Sequence, residues 1–282
     1  MIEEKTVKIT ICKAIELYDK GKWIAATHLL KDLLQEKISW KEKREIFMHL
    51  GWNYWKLGDK AEAIAFWDLA LAAESDEITQ ASAHAGLGIY YAEKGDKEKA
   101  LHHAKLAQNL PPQNATIHQS MNLNACAISL AKIGELDRAE EVLRKVMQIN
   151  FQLEQSYSPV IAKKAKHQRA KNGYNLASLI LIPQSRFYEA LMELDEEVIP
   201  RYVAVEAETD LAAAYHRIAE VDEKMADGDS HYTVRQKVLS LALRAEERSS
   251  NLWRKHSDDP KRIETAEKNI QRIKEKIQKL EQ

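Results

Sequence analysis

A chain of 282 residues that is 45% hydrophobic and 30% charged, with only 9 glycines and 6 prolines, has room for one large or two ordinary domains and too much apolar content to stay disordered. Its 42 basic residues balance 43 acidic ones, and a general polyanion binder would carry a basic excess, so DNA and RNA are disfavoured as partners.

From the N-terminus, MIEEKTVKITICKAIELYDKGKW is charged throughout and has no continuous apolar core, which predicts no signal peptide. No run reaches the roughly 18–20 apolar residues that cross a bilayer; the longest, LASLILIP, stops at Pro183. Cys12 and Cys126 stand far apart, without a CxxC neighbour or metal-ligand spacing, which predicts two reduced, partly buried thiols. A cytoplasmic protein, off the membrane, is the expectation.

Apolar residues recur at helical spacing along the chain, and Gly-Asp, Pro or Ser mark the breaks. The segment HLGWNYWKLGDKAEAIAFWDLAL (49–71) aligns residue for residue with GLGIYYAEKGDKEKALHHAKLAQ (86–108). ACAISLAKIGELDRAEEVLRKVM (125–147) follows the same template, with Cys126, Ala127 and Leu130 replacing Leu, Gly and Tyr. KAIELYDKGKWIAATHLLKDLL (13–34) is a degenerate first copy with Gly21, Ala26 and Leu30 in register.

Each repeated residue type has a physical task. Gly51, Gly88 and Ala127 leave room for a second helix, as do Ala63, Ala100 and Ala139. Phe47, Leu50 and Tyr54 form a stripe at i, i+3 and i+7 that packs between helices. Gly58, Gly95 and Gly134 end first helices where a positive φ is needed. Asp59 and Asp96 cap second helices, and Pro111 and Pro112 close the third copy.

This pattern resembles the tetratricopeptide repeat family, a helix-turn-helix unit of about 34 residues, over residues 45–150 and more loosely over 8–40. One copy cannot bury its apolar face alone, so the copies are expected to stack. The predicted fold is all-α, a right-handed superhelical stack of antiparallel helix pairs. Residues 1–150 form the array of about four repeats, 151–257 continue it as longer, divergent pairs, and 258–282 form a C-terminal amphipathic helix.

In the divergent part, Ser158-Pro159 reads as cap and first turn of a helix reaching about Ile182. Ser185 reads as the cap of the next helix, in which SRFYEALMEL echoes GDKAEAIAFW. Pro200 is expected to open a long helix ending near ADGDSHY. Residues 233–256 place Val234, Val238, Leu241, Ala245 and Trp253 on one side of another. The last segment carries Ile263, Ile270 and Ile277 at heptad position a and Ala266, Ile273 and Leu280 at d. That seam suits either a helix capping the array or a homodimer through residues 258–282.

Catalytic motifs are missing: no G-x-S-x-G, Walker A, H-E-x-x-H or Glu-x-x-His pattern occurs, so no enzyme, cofactor or metal is expected. Adjacent His102 and His103 point about 100° apart on a helix and read as solvated. The acidic run Glu193, Asp195, Glu196 and Glu197 also reads as solvated, as does the basic run AKKAKHQRAK (162–171) with Lys163, Lys164, Lys166, Arg169 and Lys171. DGDS (227–230) lacks the ligands of a calcium loop and reads as a turn.

Function is expected in the groove lined by the first helices. Its stripe comprises Glu45, Met48, Trp52, Trp55 and Lys56 in the second copy, and Ser82, Ala85, Ile89, Ala92 and Glu93 in the third. The fourth supplies Met121, Asn124, Ile128, Ala131 and Lys132, and the first adds Ile11, Ile15 and Tyr18. Aromatic and Met side chains at the middle suit recognition hot spots. The residues expected to hold a protein or peptide are Tyr18, Met48, Trp52, Trp55, Ile89, Met121, Asn124 and Ile128. Trp52 and Trp55 are expected to lie where packing does not need them. The alternatives are a groove filled by the chain's own C-terminal helices, a self-associating structural protein, and a receptor for a small signalling peptide. One subclass of the family clamps chaperone C-terminal carboxylates with Lys, Asn and Arg; this chain has Ile11 and Ile15, or Met48 and Trp52, on the leading helix, with Gly86 and Ala125 later, and departs from that pattern.

Overall fold

The computed structural model describes residues 4–72, 76–108, 116–229, 231–256 and 259–281. Pro111 and Pro112, expected to stop the third repeat, lie outside these residues, as do Ser230 and Asp258. The described residues form helices joined by short turns, with no strand among them, an all-α fold. The chain divides into two compact units, Met1–Val142 and Leu143–Gln282, with the division inside one helix, α8 (Leu136–Glu154).

The first unit contains α1 (Glu4–Asp19), α2 (Trp23–Leu34), α3 (Trp40–Leu57), α4 (Lys60–Leu71), α5 (Glu77–Glu93), α6 (Lys97–Gln108), α7 (Ile117–Lys132) and the start of α8. Helices α1 to α7 each pack on the next, while α1, α3, α5 and α7 also touch in turn. This is the α-solenoid arrangement of stacked helix pairs. Local chemistry sets the boundaries. Ser39 and Glu42 form a reciprocal capping box at the start of α3. At its end Gly58 adopts φ 85°, which an L side chain resists, and Asp59 N–H closes back onto Tyr54 carbonyl at 3.0 Å. Asp59 then accepts from Glu62 N–H at 3.2 Å, and Asp96 does the same for Lys99 at 3.1 Å.

The centre of this unit is Trp67 of α4, fully buried. Its ring lies against the backbone of two first helices at once. A Cβ on Gly51 of α3 would fall inside the van der Waals radii of Cδ1 and Nε1 and 3.0 Å from Cε2. A Cβ on Gly86 of α5 would meet the opposite rim, 2.7 Å from Cη2. Met48, Ala63, Ala70, Ala83 and Leu87 complete the cluster. A second cluster joins Val7, Ile11, Ala14, Leu30, Leu33, Ile46 and Leu50 from α1, α2 and α3. Ile11, expected in the groove, is thus core: its face of α1 is covered by α2 and α3.

The second unit follows α8 with α9 (Pro159–Leu176), α10 (Phe187–Met192), α11 (Ile199–Val205), α12 (Glu208–Gly228), α13 (Tyr232–His256) and α14 (Pro260–Glu281). Ser158 and Pro159 open α9 as expected. A π-helical turn, Ala177–Leu181, extends α9, and another, Glu193–Val198, joins α10 to α11.

Two expected boundaries differ. Ser185 makes no cap bond to α10; at φ 60° it ends the preceding helix, with Arg186 N–H returning to Leu181 carbonyl at 2.8 Å. The helix around Pro200 stops at Glu206, also at φ 60°, with Ala207 N–H returning to Tyr202 carbonyl at 3.0 Å, and α12 starts afresh. Both turns repeat the Gly58-Asp59 closure with a non-glycine residue in the left-handed slot. On α13, Leu239, Ala242, Ala245, Glu246, Ser249, Ser250 and Trp253 are buried, while Val234 and Leu241, expected on the packed side, are exposed. The heptad residues of α14 pack within the unit: Ile273, Ile277 and Leu280 join Ala226, Leu239 and Ala242, while Ala266 and Ile263 join Ala212 and Trp253.

Gly51→Ala and Gly86→Ala should each lower stability by about 1–3 kcal/mol or more through overpacking, despite a gain of about 1 kcal/mol in helix propensity. Gly88→Ala, whose Cβ would meet Ser129 Oγ at 3.3 Å, should stay within about 1 kcal/mol of the parent. Urea denaturation of the three variants measures the contrast.

Candidate functional site

The groove stripe of the first unit is only partly available. Met48 and Ile89 are each 5% exposed and belong to the interior, as do Ser82, Ala85 and Ala92. Small residues on α5 let the neighbouring helices close over that stretch of the stripe. Tyr18, Trp52, Trp55, Met121, Asn124 and Ile128 are half-buried. Met121, Asn124 and Ile128 follow one another along α7, and α7 packs on α5.

Trp52 and Trp55 are tied to the core rather than set apart from it. The Trp52 ring meets Trp67 edge-on at 5.1 Å, and its indole N–H donates to Ser82 Oγ at 2.9 Å. Trp55 lies 5.7 Å from Trp67, with Lys60 Nζ 5.1 Å above its ring. The expectation that packing does not need this pair is therefore corrected: Trp67 reaches through between α3 and α5, and both indoles rest on it.

The rim is charged and ordered. Lys60 pairs with Glu93, which also meets Lys132 at 3.3 Å, so one carboxylate joins α4, α5 and α7. Burial works against the charged Glu93, but the two lysines outweigh it and hold its pKa below the ordinary value. Burial beside Asp19 raises the Tyr18 phenol, which stays neutral. The Cys126 thiol is buried and pushed up to about 12, hence unreactive, while Cys12 is exposed.

Three surfaces read as solvated in the sequence are not wholly so. His103 turns toward His84, their Nδ1 atoms 3.0 Å apart, while His102 is exposed. Glu197 of the acidic run receives Arg169 at 2.7 Å and Arg201 at 2.9 Å. Arg169 of the basic run also lies 5.0 Å from the centre of the Phe151 ring, and Glu154 approaches both arginines. The two opposite runs thus partly neutralise each other inside the second unit. Asp227 and Gly228, expected in a turn, end α12, and Asp229 Oδ1 accepts from His231 N–H at 2.7 Å. No group of three or more His, Cys, Asp or Glu residues that could hold a metal occurs among the described residues. None of the described helices is long and apolar enough to cross a membrane.

Lys60, the hydrogen bond that Ser82 makes to Trp52 and the pairing of His84 with His103 were not read from the sequence. Lys60 and Ser82 act across helix contacts that no local pattern encodes. The histidines had a signal, since repeat alignment places them where the preceding copy has Phe47 and Phe66.

Trp52→Ala combined with Trp55→Ala should cost about 2–4 kcal/mol, below two fully buried aromatics, because both rings support Trp67. Trp52→Phe alone should cost about 1 kcal/mol, the Ser82 hydrogen bond. Thermal and urea melts check both values.

A family model described as tetratricopeptide repeat matches residues 45–77, the segment holding α3 and α4. No curated protein matches the chain significantly. Among solved structures, TPR-like repeats from a kinesin light chain of Podosopora anserina align at 15% identity and TM-score 0.45, covering 73% of this chain and 100% of that one. A Rap protein complexed with competence and sporulation factor aligns at 12% identity and TM-score 0.44, covering 99% and 89%. The S. pombe nuclear import adaptor Nro1 aligns at 12% and 0.41, covering 94% and 99%. Residues 45–77 therefore carry a tetratricopeptide repeat, set in a stack of helix pairs whose neighbouring copies share its residue pattern.

Proposed function

We propose that the protein is a non-catalytic interaction scaffold that holds a peptide or protein segment along the inner helices of its first unit. The observation that carries this reading is the half-buried strip of Trp52, Trp55, Met121, Asn124 and Ile128 beside the ion-paired Lys60–Glu93–Lys132 rim. Such a strip offers large contact area at little side-chain entropy cost, with charges at the edge to set register. Met48 and Ile89 support the floor from below, and Tyr18 extends the strip on α1. A short signalling peptide is the smallest ligand of this class. Function in the cytoplasm without nucleic acid or membrane fits the balanced charge. The self-associating alternative is less favoured, because Ala266 and Ile273 of the α14 seam are already buried in their own chain.

Peptides selected from a randomised display library on the full chain, then titrated calorimetrically, test the groove. Trp55→Ala with Ile128→Ser should weaken the selected peptide by about tenfold or more at temperatures well below the variant's melting point. Trp40→Ala, a tryptophan 68% exposed and outside the strip, should leave affinity unchanged. Equal affinity for the groove variant and the parent would refute the assignment.

A further inference from the structure

The second and third repeats align residue for residue, so each serves as a control for the other. In the second, the helix pair is sealed by Phe47 of α3 and Phe66 of α4, ring centroids 6.0 Å apart, and Phe66 stacks on Tyr54 at 5.5 Å. At the corresponding positions the third repeat has His84 of α5, His103 of α6 and Tyr91. The stacking survives, with His103 on Tyr91 at 5.4 Å and 5°. In the fourth copy the two sealing positions are Leu123 and Val142. The second repeat packs hydrocarbon at this contact, the fourth carries hydrocarbon at the aligned positions, and the third alone among these three copies places two imidazoles there.

Those imidazoles meet nitrogen to nitrogen, Nδ1 to Nδ1 at 3.0 Å. Both rings are half-buried. Burial lowers the pKa of each, aided by His102 for both and by His84 and Lys99 for His103, which falls to about 4. Near neutral pH both rings are uncharged, the state in which imidazole binds metal. Nitrogens bound at about 2.0–2.1 Å stand about 2.9 Å apart at a 90° ligand angle and about 3.3–3.4 Å apart in a tetrahedron. The observed spacing matches the first arrangement, which Ni2+ and Cu2+ favour over Zn2+.

We propose that His84 and His103 form a two-imidazole site for a divalent transition-metal ion of the Ni2+ and Cu2+ type, with water in the remaining positions. The ring that donates its Nδ1 proton in the free pair carries that proton on Nε2 once the metal is bound, so no net proton is released. The ion then ties α5 to α6 at the contact that Phe47 and Phe66 seal by packing in the preceding repeat.

Calorimetric titration of the tag-free full chain with Ni2+ at pH 7.5, followed by thermal melts, tests the site. The chain should take up one equivalent and melt at higher temperature with the metal bound. His84→Phe with His103→Phe, which recreates the Phe47–Phe66 seal, should fold and lose both effects. His103→Gln alone should also lose the one-equivalent uptake, which secures the test if the double variant folds poorly. His102→Gln should keep uptake. Unchanged Ni2+ binding in the Phe or Gln variants, loss of binding with His102→Gln, or no uptake by the parent would each overturn the proposal.

Discussion

Trp67 sets the spacing of the first unit. Its indole fills a slot that exists because α3 and α5 carry Gly51 and Gly86 where any other residue would strike the ring. The slot is apolar and tight enough that the indole N–H finds no partner among the described residues, a cost of about 1–3 kcal/mol that close packing must exceed. One side chain on a second helix thereby fixes the distance between two first helices, and that distance defines the inner surface of the array.

The aromatic strip inherits its position from this wedge. Trp52 and Trp55 flank Trp67, Ser82 fastens the Trp52 indole from the next repeat, and Lys60 bridges from the Trp55 ring to Glu93. Side chains held this way keep little freedom, so the strip is pre-organised. The same anchoring makes substitutions in the strip read out on stability as well as on the proposed binding.

What was legible in the sequence followed the range of the interaction. The left-handed Gly58, Gly95 and Gly134, the Asp59 and Asp96 caps and the Ser158-Pro159 start act within a turn of their own positions, and all appear as expected. Ser185 and Glu206 close turns of the same geometry without glycine, so the signal that marks the first unit is missing in the second. The π-helical turns at 177–181 and 193–198 shift the helical register there, and the repeat template fades. A stripe at helical spacing on the first helices does not tell which of its members neighbouring helices cover. Met48 and Ile89 share that stripe with Trp52 and Ile128, yet only the latter pair reaches the surface. Deciding between them required knowing that Trp67 lies between α3 and α5, a contact far apart in sequence.

A double-mutant cycle between Gly51→Ala and Trp67→Leu measures the wedge most directly. Shrinking the indole should relieve the clash, so Gly51→Ala should cost much less in the Trp67→Leu background than in the parent, with a coupling energy of about 1–3 kcal/mol. Additivity within about 0.3–0.5 kcal/mol would show that Gly51 and Trp67 act independently and would contradict the account.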